Sequence, residues 1–206
     1  GELCGNAFWI KLNQRFHLLH PEEEKYVSEI EKSLYNVVIA NQYGSEGIRY
    51  FAKLVDRKYR PHVANTYHCM NTCCEGQGTR IYGSLPEYIY SVAKDGIYVD
   101  LFSASEISYT VNKHPIKLKM NTQFPYDSKV EIAVSSEQPS QSKIYIRVPS
   151  WAASEVSVSV NGNEVGKGKP GSYYMINRKW AGHDVISFTL PMNFRVTKYN
   201  GVEQGF

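Results

Sequence analysis

The stretch "EYIYSVAKDGIYVDLF", residues 87–102, marks the point at which the hydrophobic pattern of the chain changes. Apolar and polar residues alternate on both sides of Asp95 and Gly96. Such runs around an Asp-Gly pair are typical of a β-hairpin with a type I′ turn. Before this stretch the apolar residues recur at helical spacing, and after it they alternate as they do in strands. The chain is therefore predicted to have a helical part followed by a part built from strands.

The strand part is predicted to cover residues 86–206. A second hairpin signal stands at Asn161-Gly162 within "EVSVSVNGNEV". Further short alternating runs, separated by Gly, Pro and Ser, are "KVEIAV", "SKIYIRVP", "SYYMIN" and "DVISFTLP". Many short strands at this spacing indicate an antiparallel β-sandwich domain.

The helical part is predicted to cover residues 1–85. Apolar residues recur every three or four positions from Gly5 to about Gln42, which predicts two antiparallel helices joined by a tight turn near Pro21. The run "GIRYFAKLV", residues 47–55, is predicted to be a strand, and a short helix should follow the cysteine-rich segment and end at Pro86. Two or three helices alone cannot bury their apolar faces well, and we therefore expect further helices upstream. A helical part followed by a strand part gives a predicted fold class of α+β.

Composition argues against two classes of partner. The net charge is only +3, and the basic residues are scattered among acids, so no basic stripe for nucleic acid is present. No apolar run approaches the roughly 20 residues that cross a bilayer. The first residues include neither an initiating Met nor a signal peptide, so the compartment is not assigned from them. The sequence does not assign an oligomeric state either.

Three of the four cysteines lie in "NTYHCMNTCCEGQGTR", residues 65–80. The adjacent Cys73 and Cys74 can bond to each other only through a strained ring, so a metal explains them better than a disulfide does. Zinc takes cysteine thiolates, histidines and carboxylates. Glu2 and Cys4 supply one pair of such ligands, and Cys73 and Cys74 supply a second pair from a remote segment.

Spacing alone leaves the ligand set open, because Cys69 and His68 could compete for the same ion. The cysteines could also be small buried apolar residues without a metal. Gly76 and Gly78 predict a turn before a short helix, which would place the adjacent thiols near a helix N-terminus. Such a position favours the thiolate form, which is a nucleophile at neutral pH.

Five motifs together resemble the β-L-arabinofuranosidases of glycoside hydrolase family 127 (GH127) and their close relatives. They are "ELC" (2–4), "CCEGQGTR" (73–80), "IRVPSWA" (146–152), "VNG" (160–162) and "INRKWAGHDVISFTLPM" (176–192). The resemblance implies the C-terminal helices of an (α/α)6 barrel followed by an antiparallel β-sandwich domain. It also implies a zinc ion held by one glutamate and three cysteines, which here are Glu2, Cys4, Cys73 and Cys74.

The resemblance further implies that Cys73, the first of the adjacent pair, is the nucleophile of a retaining glycosidase. The substrates would be L-arabinofuranosides of plant polysaccharides or glycoproteins. The family's general acid/base is a glutamate upstream of the Glu-x-Cys motif, so the 206 residues alone are expected to be inactive. Weaker candidates for the sugar subsite are Tyr67, His68 and Arg80. As alternatives, Tyr67 could pack in the core, His68 could lie on the surface, and Arg80 could pair with a nearby acid.

A second function class stays open. The chain could be a non-catalytic, carbohydrate-associated module in which zinc is a structural link between helices and sandwich. Both interpretations predict bound zinc, and they differ in the reactivity of Cys73 toward an electrophilic sugar mimic.

Overall fold

The computed structural model describes residues 2–42, 47–50, 73–111 and 113–194, and it has the predicted α+β class. The helices come first in the chain: α1 (Leu3–Leu19), α2 (Glu24–Ser33), α3 (Ile39–Asn41) and α4 (Cys73–Ser84). A π-helical segment, Leu34–Val38, joins α2 to α3, and a 3-10 turn, Leu85–Tyr88, follows α4 with Pro86 in its first turn. None of the described helices is long and apolar enough to cross a membrane.

Helices α1, α2 and α4 and the π-helical segment share one hydrophobic core, because each turns apolar side chains toward the others. Leu3, Ile10, Val27, Ile30 and Ile81 are all at most 2% exposed within it. The helices also leave apolar side chains uncovered, as the sequence predicts for so few helices. The predicted strand at residues 47–55 is described only as far as residue 50, where Ile48 forms an isolated bridge to Gln42, and its remainder lies outside the described residues.

The strands form one eight-stranded sheet in the described residues. Their bounds are β1 (Tyr90–Ala93), β2 (Gly96–Val99), β3 (Ser105–Val111), β4 (His114–Thr122), β5 (Lys129–Val148), β6 (Val156–Val160), β7 (Asn163–Gly168) and β8 (Ser172–Thr189). The main path through the sheet is β1-β2-β5-β8-β6-β7, and β4 joins β5 and carries β3 at its other edge. The first half of β5 pairs with β4, and its second half pairs with β2.

Two long strands replace four predicted short ones. The runs "KVEIAV" and "SKIYIRVP" both belong to β5, and "SYYMIN" and "DVISFTLP" both belong to β8. The polar segment between Ser136 and Ser140 was expected to reverse the chain, but it is a bulge in the pairing of β5 with β8. A bulge inserts extra residues and bends the strand without ending it.

The predicted type I′ turn at Asp95-Gly96 is wrong in detail. Ala93 pairs with Gly96, so the two turn residues are Lys94 and Asp95. Gly96 begins β2, and a Cβ there would overlap the backbone of Lys143 in β5. The glycine therefore allows β2 to lie close beside β5. This pairing is parallel, whereas an antiparallel sandwich was expected, and the long connection through β3 and β4 makes it possible.

The second hairpin has the predicted turn. Asn161 and Gly162 connect β6 to β7 with φ angles of 53° and 80°. Positive φ at both central residues is what a type I′ turn requires, and Asn-Gly is the pair that adopts it most readily. The Asn161 side chain also donates a hydrogen bond to Asp184 of β8 at 2.7 Å, which ties the hairpin to the sheet.

Both halves of β5 face the same core. Val130 and Ile132 from the first half lie in one cluster with Ile144 and Ile146 from the second half. Buried residues alternate with more exposed ones on both sides of the bulge, so the whole length of β5 contributes to this core. Trp180 of β8 is fully buried there, and its indole N–H donates to the Ser142 carbonyl at 3.0 Å.

A buried polar network joins the helices to the sheet. Arg147 of β5 donates to Glu24 at 2.7 Å and to Glu31 at 3.0 Å, and both acids belong to α2. The Trp151 indole N–H also donates to Glu31 at 2.7 Å. All three charged groups are buried. The helical and strand parts thus pack together directly.

Candidate metal centre

Four side chains of the types that can bind a metal ion lie together where two helices begin. Glu2 is the N-cap residue of α1, and Cys4 lies in the first turn of that helix. Cys73 and Cys74 open α4. One ligand atom from each of these side chains lies within 4.8 Å of all the others. The structure therefore brings together the four residues that the sequence proposes as ligands, although about 70 residues separate the two pairs.

A close contact between helices α1 and α4 brings the two pairs together. A Cβ at Gly78 would lie only 2.9 Å from the Leu3 side chain and 2.8 Å from that of Ile48. A larger residue at this position would require the Leu3 and Ile48 side chains to shift, so glycine favours this approach. Gly76 and Gly78 were expected in a turn before the helix, but both lie inside α4, and the cysteines form its first turn.

The spacing of the sulfur atoms fits a tetrahedral ion. Cys74 Sγ lies 3.1 Å from Cys4 Sγ and 3.9 Å from Glu2 Oε1. Thiolates around zinc at about 2.3 Å would be about 3.8 Å apart at tetrahedral angles, so small side-chain movements suffice. Three sulfurs and one carboxylate are also a donor set that zinc accepts. The residues present therefore fit the zinc ion that the sequence implies.

The three thiols of the centre differ in exposure. Cys74 and Cys4 are buried, whereas Cys73 is exposed. Burial raises the pKa of Cys4, and its interactions with Cys74 and Cys73 add to this effect. The hydrogen bond with Cys4 is the largest influence holding the pKa of Cys73 below its usual value, against an opposing effect of desolvation. Cys73 is thus an exposed thiol whose pKa is lowered.

Tyr50 belongs to the same centre and was not identified from the sequence. Its carbonyl accepts a hydrogen bond from the Leu3 N–H at 3.0 Å, which places residue 50 beside the segment that carries Glu2 and Cys4. The negative charge of Glu2, together with an interaction with Cys73, raises the pKa of Tyr50 to about 12. The Tyr50 hydroxyl therefore stays protonated at neutral pH.

Of the weaker sequence candidates, Arg80 alone lies in the part of the chain that the structure describes, and it is not in this cluster. Tyr67 and His68 lie outside the described residues, and so does the competing ligand Cys69. Arg80 lies on α4 and is exposed. Arg80 lies seven residues after Cys73, which is about 10 Å along the helix axis. Burial lowers the pKa of Lys11 in α1, and the positive charge of Arg80 lowers it further.

Two family models match consecutive parts of the chain. The GH127 catalytic domain of β-L-arabinofuranosidases matches residues 1–87, and the GH127 middle domain matches residues 96–192. No curated protein matches the chain.

Solved structures show the same similarity. A GH127 β-L-arabinofuranosidase from Geobacillus stearothermophilus T6 is 25% identical with a TM-score of 0.85, over 97% of this chain and 33% of that one. A second GH127 β-arabinofuranosidase is 27% identical with a TM-score of 0.78, over 92% and 32% of the two chains. A further glycoside hydrolase, 22% identical with a TM-score of 0.82 over 93% and 33%, shares the fold. The chain spans about a third of the length of these structures.

Proposed function

Since the chain belongs to the GH127 family of β-L-arabinofuranosidases, we propose that the whole protein is a retaining glycoside hydrolase that releases L-arabinofuranose from plant-derived glycans. Its nucleophile would be Cys73, and its zinc ligands Glu2, Cys4, Cys73 and Cys74. One observation carries the proposal: four donors of the right chemistry lie within 4.8 Å of one another, and one of their thiols is exposed. Cys73 carries the one exposed sulfur of the three, so it is the sulfur that a sugar can reach.

The reaction would proceed in two displacements at the anomeric carbon. In the first, the Cys73 sulfur forms a bond to that carbon, and the electron pair of the broken glycosidic bond leaves with the oxygen. In the second, water gives up a proton to the general acid/base as its oxygen bonds to carbon, and the electron pair of the C–S bond returns to sulfur. Two inversions give net retention. When bound, zinc would keep the thiolates deprotonated and stabilise negative charge on sulfur.

The position of each residue in this chain would decide whether it holds the ion or attacks the substrate. The buried Cys4 and Cys74 and the carboxylate of Glu2 would hold the ion, and the first turn of α4 would present the Cys73 thiolate toward the substrate. The positive end of the α4 dipole favours negative charge on Cys73. The acid that protonates the departing glycosidic oxygen is not assigned to a residue of this chain.

Zinc binding can be measured directly. We expect one zinc ion per chain, and we expect Cys74→Ala to weaken binding by about 10-fold or more, because even residues outside the ligand set cost 10- to 100-fold. Competition of the purified whole protein against a chromophoric chelator gives the affinity. Cys69→Ala is the matched control, and an equal loss of zinc in that variant would show that the ligand set is wrong.

Covalent labelling separates the enzyme from a structural module. An electrophilic mimic of L-arabinofuranose should alkylate Cys73 in the zinc-bound whole protein faster than it alkylates Cys4, Cys69 or Cys74. Mass spectrometry of proteolytic peptides locates the label. Equal labelling of all cysteines, or none at Cys73 with zinc bound, would favour the alternative, a non-catalytic carbohydrate-associated module with a structural zinc site.

A further inference from the structure

A cavity of about 180 Å³ lies between the helical part and the strand part, and we call it the interface cavity. Both parts contribute to its wall, with Glu31, Tyr35 and Ile39 from the helical part and Phe102 and Phe124 from the strand part. Most of the remaining wall is apolar. The cavity has room for a molecule of several non-hydrogen atoms, since a single water requires only about 10–15 Å³.

The carboxylate of Glu31 has one oxygen that a ligand in this cavity could use. Its Oε2 atom accepts hydrogen bonds from Arg147 at 3.0 Å and from the Trp151 indole at 2.7 Å. Its Oε1 atom is buried and has no hydrogen-bond partner among the residues that the structure describes. Glu31 is only 5% exposed. A buried acceptor is costly unless a donor meets it, so the cavity calls for a ligand with a donor group.

The cluster around Glu31 carries more negative than positive charge. The carboxylates of Glu24 and Glu31 share the single guanidinium of Arg147, so one negative charge is left over. The two lysines of α2 do not balance it, because Lys25 and Lys32 are exposed and pair with other acids at 2.9 and 2.7 Å. Because an unbalanced buried charge is expensive, a cationic donor fits this cavity better than a neutral one.

Three aromatic rings in the wall favour an organic cation. Tyr35 and Phe124 meet edge to face, with ring centroids 6.3 Å apart and an interplanar angle of 82°. Phe102 and Phe124 are arranged in the same way, at 5.9 Å and 77°. Rings that stand across one another enclose a ligand from more than one side, and the negative face of a ring attracts an ammonium group. Alkyl groups on the nitrogen would also pack against the apolar wall.

We propose that the interface cavity binds a small organic ammonium ion that carries at least one N–H group. The N–H would donate to Glu31 Oε1, and the alkyl groups would contact Tyr35, Phe102 and Phe124. The positive charge would balance the surplus carboxylate. None of the residues that line the cavity belongs to the candidate metal centre.

A matched pair of ligands tests the preference for a cation. Trimethylammonium and tert-butanol each present three methyl groups and one hydrogen-bond donor, but only trimethylammonium is charged at neutral pH. Each gives a single methyl signal, so saturation-transfer NMR with the whole protein measures both affinities. We expect trimethylammonium to bind about tenfold more tightly, because a cation–π contact and a charge-assisted hydrogen bond both favour it.

Glu31→Gln is the variant that tests the charge of the site. It removes the surplus negative charge and leaves Arg147 paired with Glu24 at 2.7 Å. The amide oxygen can still accept from the Trp151 indole. We expect the affinity for trimethylammonium to fall about tenfold, with that for tert-butanol changed less than about threefold, because the variant removes charge and keeps shape.

Ile39→Trp tests the location without changing the charged cluster. Ile39 lines the cavity and is 44% exposed, so a larger side chain there should take up space at its mouth. Both ligands should bind about fivefold more weakly or worse, because the cavity cannot hold the indole and the ligand together. The matched control is Val165→Trp, at a position on β7 that is 43% exposed and outside the cavity wall, and it should change neither affinity.

Several results would overturn the proposal. Equal affinities of the original protein for the two ligands would show that a neutral donor satisfies Glu31. Binding of neither ligand would show that the rest of the whole protein covers or fills the cavity. Trimethylammonium binding that survives in Ile39→Trp would place the site elsewhere, and this test holds even if Glu31→Gln fails to fold. None of these measurements uses arabinofuranoside turnover, so this inference and the proposed function stand or fall separately.

Discussion

Replacing Cys73 with serine is expected to abolish arabinofuranoside turnover by the whole protein, with a loss in kcat/KM of about 10⁴-fold or more, as for other nucleophile deletions. A serine hydroxyl stays protonated at neutral pH and is a far weaker nucleophile than a thiolate. The measurement is steady-state hydrolysis of a chromogenic L-arabinofuranoside with zinc in excess. The fold should persist, because the Cys73 side chain is exposed and its replacement opens no cavity in the core.

Two comparisons make the Cys73 result specific. Cys69→Ser changes the one cysteine outside the proposed ligand set and should retain activity within a few-fold. The zinc affinity of Cys73→Ser should fall about 10-fold or more, because the variant loses one proposed ligand. With zinc in saturating excess, its melting temperature should remain close to that of the original protein, because Glu2, Cys4 and Cys74 still face the ion. Activity of Cys73→Ser within tenfold of the original would refute the assignment of the nucleophile.

The cluster of proposed ligands could be predicted from the sequence because its motifs resemble those of a known family. Spacing alone left Cys69 and His68 open as ligands, but the resemblance selected four donors, and these four do lie together. Tyr50 could not be found in the same way. It is one of 16 tyrosines, and its stretch was interpreted as a strand. Its position depends on the backbone bond to Leu3, which appears only when α1 and residues 47–50 are brought together.

The strand part shows a similar division between local and long-range effects. The turn at Asn161-Gly162 was predictable because local backbone geometry decides it. The joining of two predicted strands into β5 was not, because a polar segment can reverse the chain or bulge from it. Pairing with β8 along the whole length selects the bulge. Likewise, Gly96 serves the contact with Lys143 rather than the adjacent turn.

The sheet holds α1 at the end remote from the thiols. His17, near the C-terminal end of this helix, lies with its Nε2 atom 3.1 Å from Asp100 Oδ2, and both side chains are buried. Asp100 also accepts hydrogen bonds from Tyr173 at 2.7 Å and from Ser91 at 2.6 Å. Helix α1, which carries Cys4 in its first turn, is therefore fixed to the strand part at its other end. The strand part thus contributes to the geometry of the candidate metal centre.

Arg147 is the centre of the corresponding attachment of α2. Its guanidinium is fully buried between Glu24 and Glu31 and also donates to the Asp100 carbonyl at 3.2 Å. Burial alone would lower the pKa of Arg147, but the charges of Glu31 and Glu24 raise it above its usual value, so the group stays charged. Each member of the cluster depends on the others, because an unpaired buried charge costs several kcal/mol.

Arg147→Met is accordingly expected to destabilise the protein by about 3–5 kcal/mol, because it leaves two carboxylates buried without their cation. At about 2–4 °C per kcal/mol for a domain of this size, the melting temperature should fall by roughly 6–20 °C, which differential scanning calorimetry measures. The control is Lys117→Ala, which removes a half-exposed ion pair with Glu106 at 2.7 Å. Its cost should be at most about 1 kcal/mol.

A combined variant tests whether charge or packing carries this cost. In Arg147→Met with Glu24→Gln and Glu31→Gln, no buried charge is left unpaired, and the glutamine oxygens still accept from the Ser150 N–H and the Trp151 indole. Removal of a whole buried ion cluster is often neutral, so most of the lost stability should return. If the triple variant is as unstable as Arg147→Met alone, then the packing of the Arg147 side chain, and not the pairing of its charge, holds α2 on the sheet.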